Sequence, residues 1–457
     1  MTVLTEQIAM LDQTAALELR GTVTEVRGLA LRVADLPAPV GAMVRITGRA
    51  VADTRAIAGE VVGFEGDETI VMPLGATTGI RRGDYVTATD HHQHVRVGDA
   101  LLGRVLDALG RPIDGQGALA ETTPRPVKPD PVDPMDRPLI TEPLATGIRA
   151  VDALTPIGCG QRLGVFAAPG VGKSTLLATM ARHTAADVTV IGLVGERGRE
   201  VRDFIENTLG EEGRQNAVVV CATSDEPALM RIRAAFTATA VAEHFRDQGK
   251  NVLLLMDSVT RFCQAQRQVG LAAGEPPATR GYPPSVFSLL PTLLERSGRT
   301  GRGSITGLYA VLVEGDDMDE PVSDACRGVL DGHVLLSRAL AEKGHYPAID
   351  VLGSISRLAE QITTSEHETA RQEVVRVLSA HRQVEDLINI GAYAPGSNPD
   401  ADVALAVKDN IDQLLRQGRR EKQRLGDFDK TRQQLLALAQ QIQQTRQKIQ
   451  KQSRQRQ

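Results

Sequence analysis

Tryptophan is absent from these 457 residues and aromatic residues make up only 3%. Stacked-base platforms for single-stranded nucleic acid need aromatic rings, so that class of function is disfavoured. Positive charge is not in excess either. The net charge of −5 argues against a chain that coats nucleic acid. No apolar run approaches the roughly 18 to 20 residues of a membrane span. The N-terminal stretch MTVLTEQIAMLDQTAALELRG lacks the basic start of a secretory signal. The four cysteines, Cys159, Cys221, Cys263 and Cys326, form no C-x-x-C pair. They read as small buried hydrophobes in a reducing compartment. The expectation is a cytoplasmic protein that meets a membrane only through a partner.

The length suggests about two to four domains, and 42% hydrophobic residues leave ample material for their cores. Leu4, Ile8, Leu11 and Leu17 sit at near-helical spacing, so residues 1–20 are expected to form a helical interaction arm. Over 21–92, short β-branched runs such as GTVTEVRGLALRV and GEVVGFEGDETIVMPLG alternate with Gly, Pro and Asp turns. Many short strands at regular spacing predict a small β-barrel or sandwich. The stretch 97–117 is expected to be a Gly-rich linker, and TTPRPVKPDPVDPMDRP an extended boundary loop. After Leu139, apolar strands alternate with helical stretches, which predicts an α/β domain on a mainly parallel sheet over 93–357. Residues 358–457 are helical in pattern and end in a basic, Gln-rich tail.

The stretch RLGVF-AAPGVGKST places a strand, a small-residue loop and a helix in the order that a phosphate loop requires. Gly172, Lys173 and Ser174 fill the end of the G-x-x-x-x-G-K-[ST] pattern, but its first position holds Ala167. That position needs a small residue, and alanine serves if its φ is negative. Ala168, Gly170, Val171 and Gly172 would cradle phosphate with backbone N–H groups in a loop that also holds Pro169, which has none, and Thr175 continues the helix whose N-terminus faces it. Lys173 would reach the β- and γ-phosphates, and Ser174 would ligate Mg²⁺. The run NVLLLMD ends an apolar strand on Asp257, placed to hold the Mg²⁺ shell.

Three further positions keep two readings each. Glu196, the first acid after the strand VTVIGLVG, is a water-polarising carboxylate or part of a solvated turn. Arg197 beside it meets a γ-phosphate or belongs to the same turn. Arg357, after HYPAIDVLGSIS, is an arginine finger for a neighbouring subunit or a structural ion-pair partner. Tyr346 stacks on adenine or fills a core.

In order, the phosphate loop, GERGREV, LLLMDSVTR, GYPPSVF, VEGDDMDEP and GHYPAIDVLGSISR resemble the flagellum-specific export ATPases (the FliI family). These belong with the type III secretion ATPases and are related to the catalytic β subunit of rotary F-type ATP synthases. The resemblance spans about residues 20–440. It implies a RecA-like P-loop core with an N-terminal β-barrel domain and a C-terminal helical domain, in a homohexameric ring. It implies ATP and Mg²⁺ as cofactors, with Lys173 and Ser174 on phosphate and metal and Asp257 as the Walker B acid. Glu196 becomes the catalytic carboxylate, Arg197 a γ-phosphate contact, Arg357 the intersubunit finger and Tyr346 the adenine-stacking residue. Alanine at position 167 is normal for this branch. Implied partners are a FliH-type regulator at the N-terminal helix, chaperone–substrate complexes, a stalk protein and an export gate. The implied location is the cytoplasmic face of the inner-membrane export apparatus.

Other machines of this kind fit less well. A synthase β subunit follows the equivalent of VEDLINIGAY with an acidic rotor motif, where this chain has APGSNPDAD. An α-type subunit carries Gln where Glu196 stands. An RNA-translocating ring such as Rho is disfavoured by the acidic balance and few aromatics, and a nucleotide-binding scaffold by the full catalytic set. APGVGKSTLL also suits virulence secretion ATPases, while RGYPPSVFSLLPTLLERSG and LINIGAYAPGSNPDAD look flagellar. The tail beyond Leu438 runs longer than the family pattern. Leu435, Ile442 and Ile449 recur there every seven residues, which suggests a helix reaching a partner or a frayed, solvated one.

Overall fold

The computed structural model describes residues 18–49, 56–90, 93–313, 315, 317–418 and 428–456. The expected N-terminal arm lies outside the described residues except for its last three. Strands β1 (Arg20–Arg27), β2 (Ala30–Ala34), β3 (Met43–Thr47), β4 (Ala56–Glu65), β5 (Glu68–Pro73) and β6 (Tyr85–Asp90) close a barrel in the order β1-β2-β5-β4-β3-β6. Closure leaves no unpaired edge to recruit another strand. Period-two alternation decides which side chains fill it: Val44 and Ile46 of β3 point inward, 1% and 2% exposed. Strand β5 is apolar on both faces. Val71 joins the barrel core, while Ile70 and Met72 pack outward onto the large core that follows.

That core is built on a nine-stranded sheet. Its strands are β7 (Val105–Leu106), β8 (Arg162–Ala167), β9 (Val188–Glu196), β10 (Ala217–Thr223), β11 (Asn251–Asp257), β12 (Ser304–Leu312), β13 (Gly332–Leu336) and β14 (Ile355–Ser356), with Gly298–Arg299 pairing off β12. The order is β14-β13-β8-β12-β11-β9-β10-β7, parallel except at β14 and the Gly298–Arg299 strand. Helices cover both faces, so the central strands are continuous apolar runs. In β11, Val252, Leu254 and Met256 enter one core while Leu253 and Leu255 enter the other.

The stretch 97–117, expected as a linker, is instead built into this core. Val105–Leu106 extends the sheet beside β10, and Leu101, Leu106 and Ala108 are fully buried. A two-residue strand between left-handed turns at Gly103 and Gly110 carries too little periodicity to be seen in sequence.

Five helices matter for the site: α1 (Arg149–Leu154), α2 (Lys173–His183), α3 (Ser365–Asn389), α4 (Pro399–Leu415) and α5 (Phe428–Arg456). Asn398 caps α4 by accepting from the N–H groups of Asp400 and Ala401, with Pro399 at the first helical position. The heptad stripe of α5 faces inward. Leu435 and Ile442 are fully buried and Ile449 packs against the same core. Arg446 pairs with Glu373 and with Asp400, the latter at 3.2 Å. Over this stripe the tail is neither a free stalk nor a frayed helix. Its apolar face is already covered by α3, α4 and α1.

Candidate nucleotide-hydrolysing site

Strand β8 is buried from Leu163 to Ala167 and ends where the loop 168–172 begins. Ala167 still pairs in register with Leu312 and Leu336. The first position of the motif is therefore the last residue of a strand, where backbone is extended and alanine carries no strain. The turning is done further on, by Gly170 and Gly172 at φ +84° and +98°. Gly172 starts α2 with no side-chain cap. The first N–H groups of that helix are left facing the loop, with the dipole behind them, as an anion site requires. Ala168 and Val171 are buried beneath the loop, while Pro169, Gly170 and Ser174 reach the surface.

The acids arrive on neighbouring strands. Ligands of open α/β sheets bind at the carboxyl ends of the strands, and β9 and β11 end there on Glu196 and Asp257. The pairing of β9 with β10 shifts between Val194 and Glu196. Gly195 is the extra residue of this bulge, at φ +73°, and a Cβ on it would lie 2.9 Å from Cβ of Arg261. A bulge re-aims the next side chain, and Glu196 lines a cavity of about 130 Å³ together with Ser174, Glu200, Asp203, Thr208 and Asp257. Lys173 Nζ donates to Asp257 Oδ1 and stands 3.8 Å from Glu196 Oε1. Burial pushes the Glu196 carboxyl up to about 7. The charge of Asp257 pushes the same way, and Lys173 opposes both. A carboxyl poised near neutrality suits proton transfer from water.

Among the described residues, no group of three or more His, Cys, Asp or Glu side chains forms a self-sufficient metal site. The donors present suit Mg²⁺ nonetheless. Ser174 and Asp257 bring a hydroxyl and a carboxylate to one cavity, and this ion takes one or two protein oxygens, the rest of its shell coming from water and phosphate.

A second pocket stands apart from this cavity. An apolar pocket of about 50 Å³ lies across α2 from the acids, walled by Ile148, Val171, Leu336, Tyr346, Pro347 and Gln417. The Tyr346 ring lies 3.7 Å from where a Cβ on Gly172 would be, and the residue is 43% exposed. It fills no core; its ring is open beside the phosphate loop.

The two arginines stand elsewhere. Arg197 has a side chain 79% exposed and pairs with Glu200 at 3.2 Å, outside the cavity. Arg357 follows β14, whose Ser356 pairs with Gly332, the first residue of β13. It therefore sits at the amino edge of the parallel sheet, where its Nη2 donates to the carbonyl of Arg327 at 3.1 Å. The phosphate loop is at the carboxyl edge. A six-residue strand separates the two edges, roughly 16 Å or more, so Arg357 cannot reach the site of its own chain. Glu200, Asp203 and Thr208 line the cavity without having been expected. Thr208 belongs to a π-helical turn, Phe204–Leu209, a device frequent at functional sites that has no plain sequence signal. Gln417 lies past the end of α4, about 240 residues from the loop in sequence, and nothing local marks it.

Comparison with known proteins places the chain in a family. Residues 147–356 match the ATP synthase alpha/beta family nucleotide-binding domain, 23–90 its beta-barrel domain, and 363–437 the T3SS EscN ATPase C-terminal domain. The chain is 51% identical to the flagellum-specific ATP synthase of Treponema pallidum, covering 89% of this chain and 91% of that one. It is 48% identical to that of Bacillus subtilis, covering 90% and 94%. It is 50% identical to the type 3 secretion system ATPase of Xanthomonas euvesicatoria, covering 87% and 89%. The assembled ATPase EscN of the enteropathogenic E. coli type III secretion system superposes with a TM-score of 0.86 at 41% identity, over 92% of this chain and all of that one. EscN in complex with its central stalk EscO gives a TM-score of 0.83. By sequence over nearly nine-tenths of its length, and by fold, the chain belongs to the ATP synthase alpha/beta family, within its branch of flagellar and type III secretion ATPases.

Proposed function

We propose that this chain is the ATP-hydrolysing motor of a flagellar type III protein export apparatus, working as a homohexameric ring. The observation that carries this is the geometry of Lys173, Glu196 and Asp257 at one end of the sheet with Arg357 at the other. A complete set of groups for phosphoryl transfer is present in one chain but divided between its two edges, as a ring of identical subunits requires.

In the working cycle the loop N–H groups take the phosphates and Lys173 leaves Asp257 for the β- and γ-oxygens. Ser174 and Asp257 would hold Mg²⁺, which neutralises charge on the phosphates when bound. Glu196 orients the attacking water and accepts its proton. Arg197 turns from Glu200 onto the γ-phosphate. Arg357 of the next subunit stabilises charge in the transition state. Tyr346 stacks on adenine.

Hydrolysis would release and unfold chaperoned substrates for an export gate. The relative EscN is known with its central stalk EscO, and a stalk protein is proposed here as well. A FliH-type regulator is assigned to the N-terminal arm. The chain would sit in the cytoplasm against the inner-membrane apparatus, without binding nucleic acid; among the described residues no helix is long and apolar enough to cross a membrane. Virulence secretion is the second reading, favoured by the 50% identity to the Xanthomonas enzyme.

Specific ATPase activity of the purified chain with Mg²⁺, measured against protein concentration, tests the ring. Activity per subunit should rise steeply with concentration. An inactive chain at every concentration would overturn the reading. Restoration of motility to a flagellar strain lacking its own export ATPase separates the flagellar role from the virulence role.

A further inference from the structure

Between the barrel and the sheet core lies a cavity of about 160 Å³. None of its lining residues belongs to the cavity of Glu196 or to the pocket beside Tyr346. Strand β4 contributes Glu60, the connecting stretch contributes Gln93 and Lys128, and the helix Ala228–Asp247 contributes Arg233 and Phe236. The cavity is somewhat larger than the one beside Ser174 and Glu196, so it has room for a phosphate group. Val40 at its edge is 60% exposed and Lys128 is exposed beside it, so a small solute can enter there.

Arg233 is 7% exposed, and a guanidinium stays charged in a protein. Its Nη1 donates to the Met43 thioether Sδ at 3.0 Å, a weak acceptor. Its Nε is buried with no acceptor among the described residues. Burying a charge without a charged partner is costly. Lys128 brings a second cation: its Nζ lies 4.7 Å from the centroid of the Phe236 ring. Glu60 is the one acid lining the cavity. Its charge is felt by both cations, yet it makes an ion pair with neither among the described residues. The nearby acids outside it are already taken. Asp107 pairs with Arg111 at 2.7 Å, and Glu243 with Arg296 at 2.7 Å.

Two cations and one carboxylate call for a ligand with two properties. It must bring oxygen acceptors for Arg233 and Lys128. It must also bring an O–H for Glu60, because an ionised carboxylate only accepts. Sulfate is fully deprotonated and has no such donor. A phosphate ester gives up its last proton at about pH 6, whereas inorganic phosphate still holds one above neutrality. We propose that this cavity is a binding site for inorganic hydrogen phosphate, held by Arg233 and Lys128 and recognised through its O–H by Glu60. The bound ion bridges β4 of the barrel to the helix Ala228–Asp247 of the core. ATP hydrolysis releases this ion, but the site does not depend on that reading of the chain.

The test is equilibrium dialysis of the full chain against radiolabelled phosphate at pH 8. Mg²⁺ and a non-hydrolysable ATP analogue are kept saturating, so that the phosphate loop is filled. One phosphate per chain should bind. Arg233→Met and Lys128→Met should each weaken it about tenfold to a hundredfold, the worth of a charge-assisted hydrogen bond. Lys128 is exposed, so its variant carries the test if Arg233→Met folds poorly. Sulfate and glycerol 3-phosphate should compete at least about tenfold less well than phosphate, because either leaves Glu60 without a donor. Glu60→Gln supplies a donor of its own and should erase that preference. No saturable binding by about 10 mM phosphate overturns the proposal. So does wild-type affinity in both Arg233→Met and Lys128→Met, the behaviour of phosphate held in a loop left open. Equal or stronger competition by sulfate or glycerol 3-phosphate overturns it too.

Discussion

Lys173 is ion-paired with Asp257 while the same ammonium stands 3.8 Å from Glu196. One cation is shared by the two acids of the site, and it is the cation that a phosphate loop lends to phosphate. Without nucleotide it stands against both carboxyls; with nucleotide it is needed elsewhere. Lys173→Ala should abolish both turnover and ATP binding. Glu196→Gln should lower turnover by about a hundredfold to ten-thousandfold, the usual worth of a general base, and retain ATP. Normal turnover in either, measured by phosphate release, would remove the assignment.

Arg357 stands at the far edge of the sheet from its own phosphate loop, so its loss should be felt by a neighbour. Arg357→Ala should reduce kcat by about a thousandfold, within the range of an arginine finger, with nucleotide affinity kept. Mixing it with inactive Lys173→Ala should recover part of the activity, because the second variant brings an intact arginine to the first variant's intact loop. No recovery in mixed oligomers would mean that Arg357 does not act between subunits.

Gly195 is the bulge that aims Glu196. Alanine there meets both a left-handed φ of +73° and Cβ of Arg261 at 2.9 Å. Gly195→Ala should cost about 1–3 kcal/mol in stability and depress kcat more than KM, read from urea unfolding and steady-state kinetics. Full activity would show that the bulge is not needed to place the carboxylate.

Asp152, in α1, is fully buried, and burial pushes its carboxyl up to about 7 against hydrogen bonds from Thr146. The unfolded chain loses this proton near 3.8, while the folded chain keeps it to about 7. Stability from this group is complete below pH 4 and is lost as pH rises to 7, by up to about 4 kcal/mol from linkage. Asp152→Asn keeps an acceptor oxygen for Thr146 and should be the more stable form above pH 7. Urea midpoints of both proteins from pH 5 to 8 would show the curves separating as pH rises, and parallel curves would refute it.

Much of the site was legible because phosphate chemistry leaves local marks. A loop that curls its backbone around an anion needs glycines beside Lys173 and Ser174, and a buried parallel strand ending in Asp257 is a contiguous apolar run. Short β-branched runs between Gly, Pro and Asp turns likewise marked the barrel strands. Val105–Leu106 was missed because two residues carry no period, and Glu200, Asp203 and Thr208 because a charged helical turn looks solvated until the cavity beside it is seen.

By itself the sequence determined the loop, Asp257 at the end of its apolar strand and the order of barrel, core and helices, since each rests on neighbours within about ten residues; Glu196 kept two local readings. The tertiary structure alone decided how these meet. Sheet order carries Lys173 between Glu196 and Asp257 and sends Arg357 to the opposite edge. Packing of α5 turns its heptad stripe inward instead of toward a partner. Gln417 reaches the pocket beside Tyr346 only because α4 ends against α1, a contact across about 270 residues that no local pattern encodes.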